Sequence, residues 1–204
     1  MIKEVAEVME MSAERFKPTA KLTDTGARDI VKSRIEELGK LNDIKAEKGE
    51  TIDHFPKEGV FREKVGDEVR ELKNVDRTTL DFTKRPKEEV DKLHYEFYRP
   101  GGVREEFIKD LATNQAGDLK KMGLNDDDIK YMKETGHTPK NIEVHHKRPL
   151  DDSGTNSLDN LILIKRDEHN VFTVYQNRKT DGMKVGDTKK MDWPMPRGNV
   201  YTGR

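Results

Sequence analysis

The chain has no cysteine among its 204 residues, so disulfides, thiolate nucleophiles and thiolate-bound zinc are excluded. Long apolar runs are missing too. Leu161-Ile162-Leu163-Ile164 is the longest, far short of the roughly 18 residues that mark a membrane span, so no membrane partner is expected. The amino-terminal MIKEVAEVMEM alternates charge with apolar residues and lacks the apolar stretch of a signal peptide. Export is therefore expected only by another route or within a larger parent polypeptide. Aromatic residues make up 6% of the chain and hydrophobic residues 32%, against 39% charged, with a mean hydropathy of -0.99. A single large core does not fit that balance, and some segments are expected to be ordered by a partner. An excess of one charge is also lacking, since the net charge is -1. Residues 179–204, however, carry six basic and three acidic side chains, so a small basic surplus lies in the tail.

Apolar spacing predicts helices over residues 2–16 and along Ile30, Val31, Ile35, Leu38, Leu41 and Ile44. Residues 50–83 contain Pro56, Gly59 and Gly66 and read as loops, short strands or one short helix. His54, alone in this stretch, reads as a surface or packing histidine. Thr83 to Glu88 resembles a helix start, with a threonine cap, an early proline and acids in the first turn. That helix would bury Val90, Leu93, Tyr95 or Phe97 and stop at Pro100-Gly101-Gly102, with His94 on its face. Another helix fits Val103 to Thr113, and Asn125 opens a short one carrying Ile129 and Met132 that ends near Gly136. The Asp126–Asp128 run complements the dipole of that helix and needs no metal to explain it. The expected fold class is α+β and predominantly helical. A helical region over 1–100, of unassigned role, precedes a second domain over 101–204.

The chemistry is concentrated in residues 142–177. Ile142-Glu143-Val144-His145-His146 reads as a short strand, residues 147–158 as a loop, Leu161–Ile164 as a second strand, and the residues after Asp167 as a helix. Neighbouring strand residues point to opposite faces, so His145 and His146 cannot do the same job. One can face an ion held against the following helix, where His169 lies, and the other a phosphodiester. A neutral imidazole is a suitable base for water near pH 7. Asn160 is placed to tie the loop and orient that base.

EVHHKRPL (143–150), SLDNLILI (157–164) and DEHN (167–170) together resemble the HNH nucleases, also called ββα-metal or His-Me finger nucleases. The resemblance covers about residues 137–177 and implies a carboxy-terminal ββα-metal module. It implies that His145 and His169 are metal ligands, that His146 is the general base and that Asn160 positions the base. Glu143 matches a supporting acid of the bacteriocin branch. Thr173 stands where bacteriocin DNases carry a further histidine, so a site with two protein ligands is implied. Such a site suits Mg²⁺ first, with Zn²⁺, Mn²⁺ and Ni²⁺ as alternatives. Lys147, Arg148, Lys165 and Arg166 are candidate phosphate contacts.

EVHHKRPLDDSGTNSLDNLILI is similar to nuclease domains of polymorphic bacterial toxins. That similarity implies a metal-dependent endonuclease acting on DNA, made in the bacterial cytoplasm and delivered to the cytoplasm of a target cell. It further implies a cognate immunity protein and a delivery apparatus or larger parent polypeptide. The alternatives are a phage or mobile-element HNH nuclease, an enzyme acting on RNA, or a non-catalytic nucleic-acid- or protein-binding module with a structural metal.

Overall fold

In the computed structural model, residues 52–203 are described. The helices expected over residues 2–16 and 30–44 lie outside them. The first described element is a hairpin, β1 (Val60–Val65) with β2 (Glu68–Lys73), in which Val65 pairs with Glu68 across Gly66-Asp67. Gly66 sits at φ +63°, a left-handed conformation that this tight turn requires and that glycine adopts without strain. Asn74, also left-handed at φ +57°, then turns the chain into β3 (Val75–Thr83). Residues 60–83 are thus strands, and the expectation of a predominantly helical chain is overturned. About 39% of the described residues are helical and about 27% are strand. The reason lies in alternation: Leu80 and Phe82 of β3 are buried with Asp81 and Thr83 exposed beside them, and Phe61 and Glu63 of β1 are buried with Arg62 and Lys64 on the other face.

Four helices follow: α1 (Lys87–Tyr98), α2 (Val103–Asn114), α3 (Ala116–Met122) and α4 (Asp126–Thr135). α1 starts after Pro86 rather than at Thr83. It buries Phe97 and leaves Tyr95 71% exposed. α4 begins as its sequence predicts. The Asn125 side chain accepts from the Asp128 backbone, and Asp128 accepts from Asn125 in return. Gly136 closes it at φ +69°.

β4 (Ile142–His146) pairs antiparallel with β5 (Leu161–Lys165), and α5 (Arg166–Thr180) follows directly. A last strand, β6 (Thr188–Pro196), pairs along its whole length with β3, from Val75 opposite Pro196 to Thr83 opposite Thr188. Past β6 the chain runs beside β5, where Asn199 accepts from the Leu163 backbone and Tyr201 donates to it.

β5 explains why the sequence contains one uninterrupted apolar run. Leu161 and Leu163 join a core with Phe97, Ile108, Leu111, Met132 and Ile142. Ile162 and Ile164 join a second core with Phe61, Phe82, Val171, Phe172, Tyr175 and Trp193. A strand buried on both faces has no polar side to alternate with. Residues 52–204 form one compact unit, so the boundary expected near residue 101 falls inside it, with β3 before that point and its partner β6 after it. Among the described residues no helix is long and apolar enough to cross a membrane.

Candidate active site

β4 delivers His145 and His146 to opposite sides of its sheet, as strand geometry demands. His145 faces α5 and the second core. Its ring stacks on Phe172 with centroids 5.3 Å apart, and the His169 ring lies 4.9 Å away. His145 is 7% exposed, and its buried Nε2 has no hydrogen-bond partner among the described residues. Burial, reinforced by the neighbouring His169 and His146, holds this imidazole well below the ordinary histidine value and keeps it neutral.

His169 projects from the first turns of α5. Its Nδ1 donates to Glu143 Oε2 at 2.5 Å, which leaves Nε2 as the lone-pair nitrogen. Glu143 Oε1 accepts from Arg166 Nε at 2.6 Å. Burial acts to raise the Glu143 carboxyl, but the hydrogen bonds from Arg166 and His169 outweigh it and hold the group below its usual range. A carboxylate behind a histidine fixes its tautomer and raises its basicity as a ligand. The orphaned Nε2 of His145 and the oriented His169 therefore fit a divalent cation. Among the described residues no group of three or more histidine, cysteine or acidic side chains is arranged to hold an ion. Water and a substrate oxygen would have to complete the coordination. The hydroxyl of Thr173 is used inside the helix, donating to the His169 carbonyl at 3.2 Å.

His146 lies on the other side of the sheet, against α1, with its ring 4.7 Å from that of Phe97. Burial pushes this imidazole down to about 4, only partly offset by its hydrogen bond to Asn156. The ring is therefore neutral throughout the physiological range, the form that has a free lone pair. Asn160 does not touch it. Its Oδ1 accepts from the Arg148 backbone at 2.8 Å, and its Nδ2 donates to the carbonyls of Arg148 and Thr155. Asn160 thereby closes the loop between β4 and β5. The direct partner of His146 is Asn156, at 2.9 Å. The sequence reading missed this residue, because an asparagine in a turn-rich loop carries no signal of what lies across space.

No family model matches the chain. No solved structure matches it either. It is similar to the uncharacterized protein YhhZ of Escherichia coli K12, at 32% identity over 155 residues covering 76% of this chain and 38% of that protein. The chain thus spans about two fifths of the length of the curated relative it matches.

The four candidate phosphate contacts are not gathered into one patch. Lys165 and Arg166 border a cleft of about 500 Å³ together with Lys140. Arg148 borders a different one, with Lys84 and Arg85. Arg166 is held by Glu143, and Arg148 Nε donates to the buried Asp152 at 2.7 Å. Lys147 is half-buried, and burial lowers its ammonium below the usual lysine value. Lys147, Lys165 and Lys140 are the cations in this set without such a carboxylate partner among the described contacts, and Lys147 Nζ lies 3.4 Å from Asn199 Oδ1.

The loop is also fastened from outside. Arg85 donates to the carbonyls of Leu150 and Gly154, and Asp152 accepts from the Thr83 backbone. Trp193 on β6 donates to the Lys147 carbonyl at 2.9 Å. These contacts come from residues well outside 142–177.

Proposed function

We propose that the chain is a metal-dependent endonuclease that hydrolyses phosphodiester bonds, with DNA as the first substrate to test. The observation that carries this reading is the division of labour across β4. On one face a buried, unpartnered imidazole nitrogen sits beside a carboxylate-oriented histidine, and on the other lies a neutral imidazole with an assigned hydrogen-bond partner. A structural ion would use the first face and has no need of the second.

His145 and His169 would hold a divalent cation. When bound, it supplies positive charge that offsets charge developing on the phosphoryl and leaving oxygens. The chain's own residues do the rest. His146 removes a proton from water, the water oxygen forms its bond to phosphorus, and the bond to the leaving oxygen breaks. Asn160 and Arg85 keep the loop beside the base closed, and Glu143 keeps His169 turned toward the ion.

Supercoiled plasmid incubated with purified protein and Mg²⁺ tests the reading. Wild type is expected to nick it and EDTA to stop the reaction. His146→Ala should lose at least about a hundredfold in rate, the usual scale for a missing general base, while still binding the ion. Cleavage by His146→Ala at the wild-type rate would overturn the assignment. Total RNA as a parallel substrate separates DNase from RNase.

The resemblance to toxin nuclease domains extends the proposal to an interbacterial effector with a cognate immunity protein. A match that fills 38% of a longer bacterial protein supports a module carried by larger polypeptides. Expression of wild type in bacteria should kill cells with loss of chromosomal DNA, and His146→Ala should not.

A further inference from the structure

We propose that Asn156 is a positioning residue that fixes His146 as its Nε2–H tautomer, leaving Nδ1 as the proton acceptor, and that helix α1 sets Asn156. The inference rests on the reading of His146 as the base.

Hydrogen-bonding capacity decides the geometry. A 2.9 Å contact between His146 Nε2 and the Asn156 side chain does not by itself say which group donates, because an amide can be turned over. The other end of the amide resolves it. Asn156 lies 2.9 Å from the carbonyl oxygen of Leu93 in α1, and a carbonyl only accepts. The amide nitrogen must face Leu93, so the amide oxygen faces His146. That oxygen also only accepts, so Nε2 must carry the proton. The neutral ring then has its lone pair on Nδ1. When Nδ1 takes the proton from water, the Nε2–H bond to Asn156 persists, and the imidazolium keeps a partner for its second N–H.

The surroundings limit the alternatives. Phe97, one helical turn after Leu93 and buried in the first core, packs 4.7 Å from the His146 ring. α1 therefore supplies both the surface against the imidazole and the carbonyl that orients its partner. Asn160 acts one step further away. It grips the carbonyl of Thr155, the residue before Asn156, and so sets the backbone from which Asn156 reaches the base. An asparagine that never touches the base is thereby linked to it through one that does.

The test is long-range ¹H–¹⁵N spectroscopy of the full chain, with the His146 ring nitrogens assigned by their loss in His146→Ala, alongside plasmid cleavage. Wild type should show His146 as a single Nε2–H tautomer. Asn156→Ala should move both ring nitrogens toward averaged values and lower kcat about tenfold or more, with KM little changed. Asn156→Asp gives up the donor to the Leu93 carbonyl but still offers Nε2 an acceptor, so it should favour Nε2–H over Nδ1–H even if Asn156→Ala does not fold. An Nδ1–H tautomer in wild type, or loss of the Nε2–H tautomer in a folded Asn156→Asp, would overturn the proposal. So would an unchanged tautomer and kcat in Asn156→Ala. Absence of any cleavage by wild type, with the tautomer still shifting in Asn156→Ala, would remove the nuclease reading and leave the Asn156 contact standing.

Discussion

Glu143 shows how much one side chain two positions before the histidine pair contributes. It accepts from His169 Nδ1 and Arg166 Nε at once, and its negative charge is what makes the His169 Nε2 lone pair a stronger donor to a cation. Glu143→Gln keeps an oxygen that one of these donors can use but removes the charge. Affinity for Mn²⁺, measured by titration calorimetry, should fall about 10- to 100-fold, the usual effect of losing such a carboxylate. Cleavage should recover at saturating metal. An unchanged affinity would mean that His169 is not a ligand. Glu143, His145, His146 and His169 stand out in the sequence by residue type and local spacing, and the structure brings Glu143, His145 and His169 together. The basic candidates were not legible in the same way. Arg148 and Arg166 are held by Asp152 and Glu143, and no local pattern tells a phosphate contact from a charge already paired.

Among the elements, the loop between β4 and β5 is the most exacting. A Cβ at Gly154 would lie 2.2 Å from the Arg148 carbonyl oxygen and 2.5 Å from that of Pro149, both backbone atoms that cannot swing aside. Gly154→Ala should therefore destabilise the fold by about 1–3 kcal/mol in urea unfolding, the range for overpacking a tight site. It should also lower cleavage, because Asn156 and Asn160 hang from the same loop. Of the strands, β4 and β5 could be read locally, whereas the helix after them starts at Arg166 with Lys165 at its cap, and Asp167, the expected cap, lies in its first turn. β6 could not. TKKMDWPMP carries two lysines and two prolines and reads as a tail, and it becomes a strand only through β3, more than a hundred residues earlier. Its prolines are tolerated because, among the described residues, this sheet has two strands, each with an unpaired edge.

The β3–β6 pair is clamped by two carboxylates with an acid limit. Asp192 on β6 is held below the usual aspartate range by its hydrogen bond from Arg77, and Asp76 on β3 by Arg197. A carboxyl lowered in the folded state gives stability that is present above its ordinary value, 3.8 here, and is lost as pH falls through the lowered one. The thermal midpoint of wild type should drop as pH falls below about 4, and part of that drop should vanish in the Arg77→Met, Arg197→Met double variant. Equal slopes in the two proteins would show that these pairs add nothing. Both are partly exposed, so the effect should also shrink in high salt.

For the whole molecule, the structure makes the histidine-bearing segment dependent on what surrounds it. β5 is buried on both faces, between a core built by α1, α2 and α4 and one built by β1, β3, β6 and α5. Residues 137–177 alone keep part of α5 beside Ile162 and Ile164 but strip Leu161 and Leu163 of α1, α2 and α4, at roughly 1.5–3 kcal/mol for each side chain left in water. A fragment over 101–204 fares little better. It keeps α2 to α5, but it removes β3, leaving Trp193 and Met191 of β6 without Leu80 and Phe82, and it removes α1, and with it Phe97 and the Leu93 carbonyl behind the base. We therefore expect 137–177 to give a disordered circular dichroism spectrum. The 101–204 fragment should lack a cooperative thermal transition, whereas 52–204 should unfold in one transition. A cooperatively folded 101–204 fragment that still cleaves plasmid would show that β1–β3 and α1 are dispensable. The base would then need neither Phe97 nor the Leu93 carbonyl, and the boundary read from the sequence near Gly101 would be the functional one.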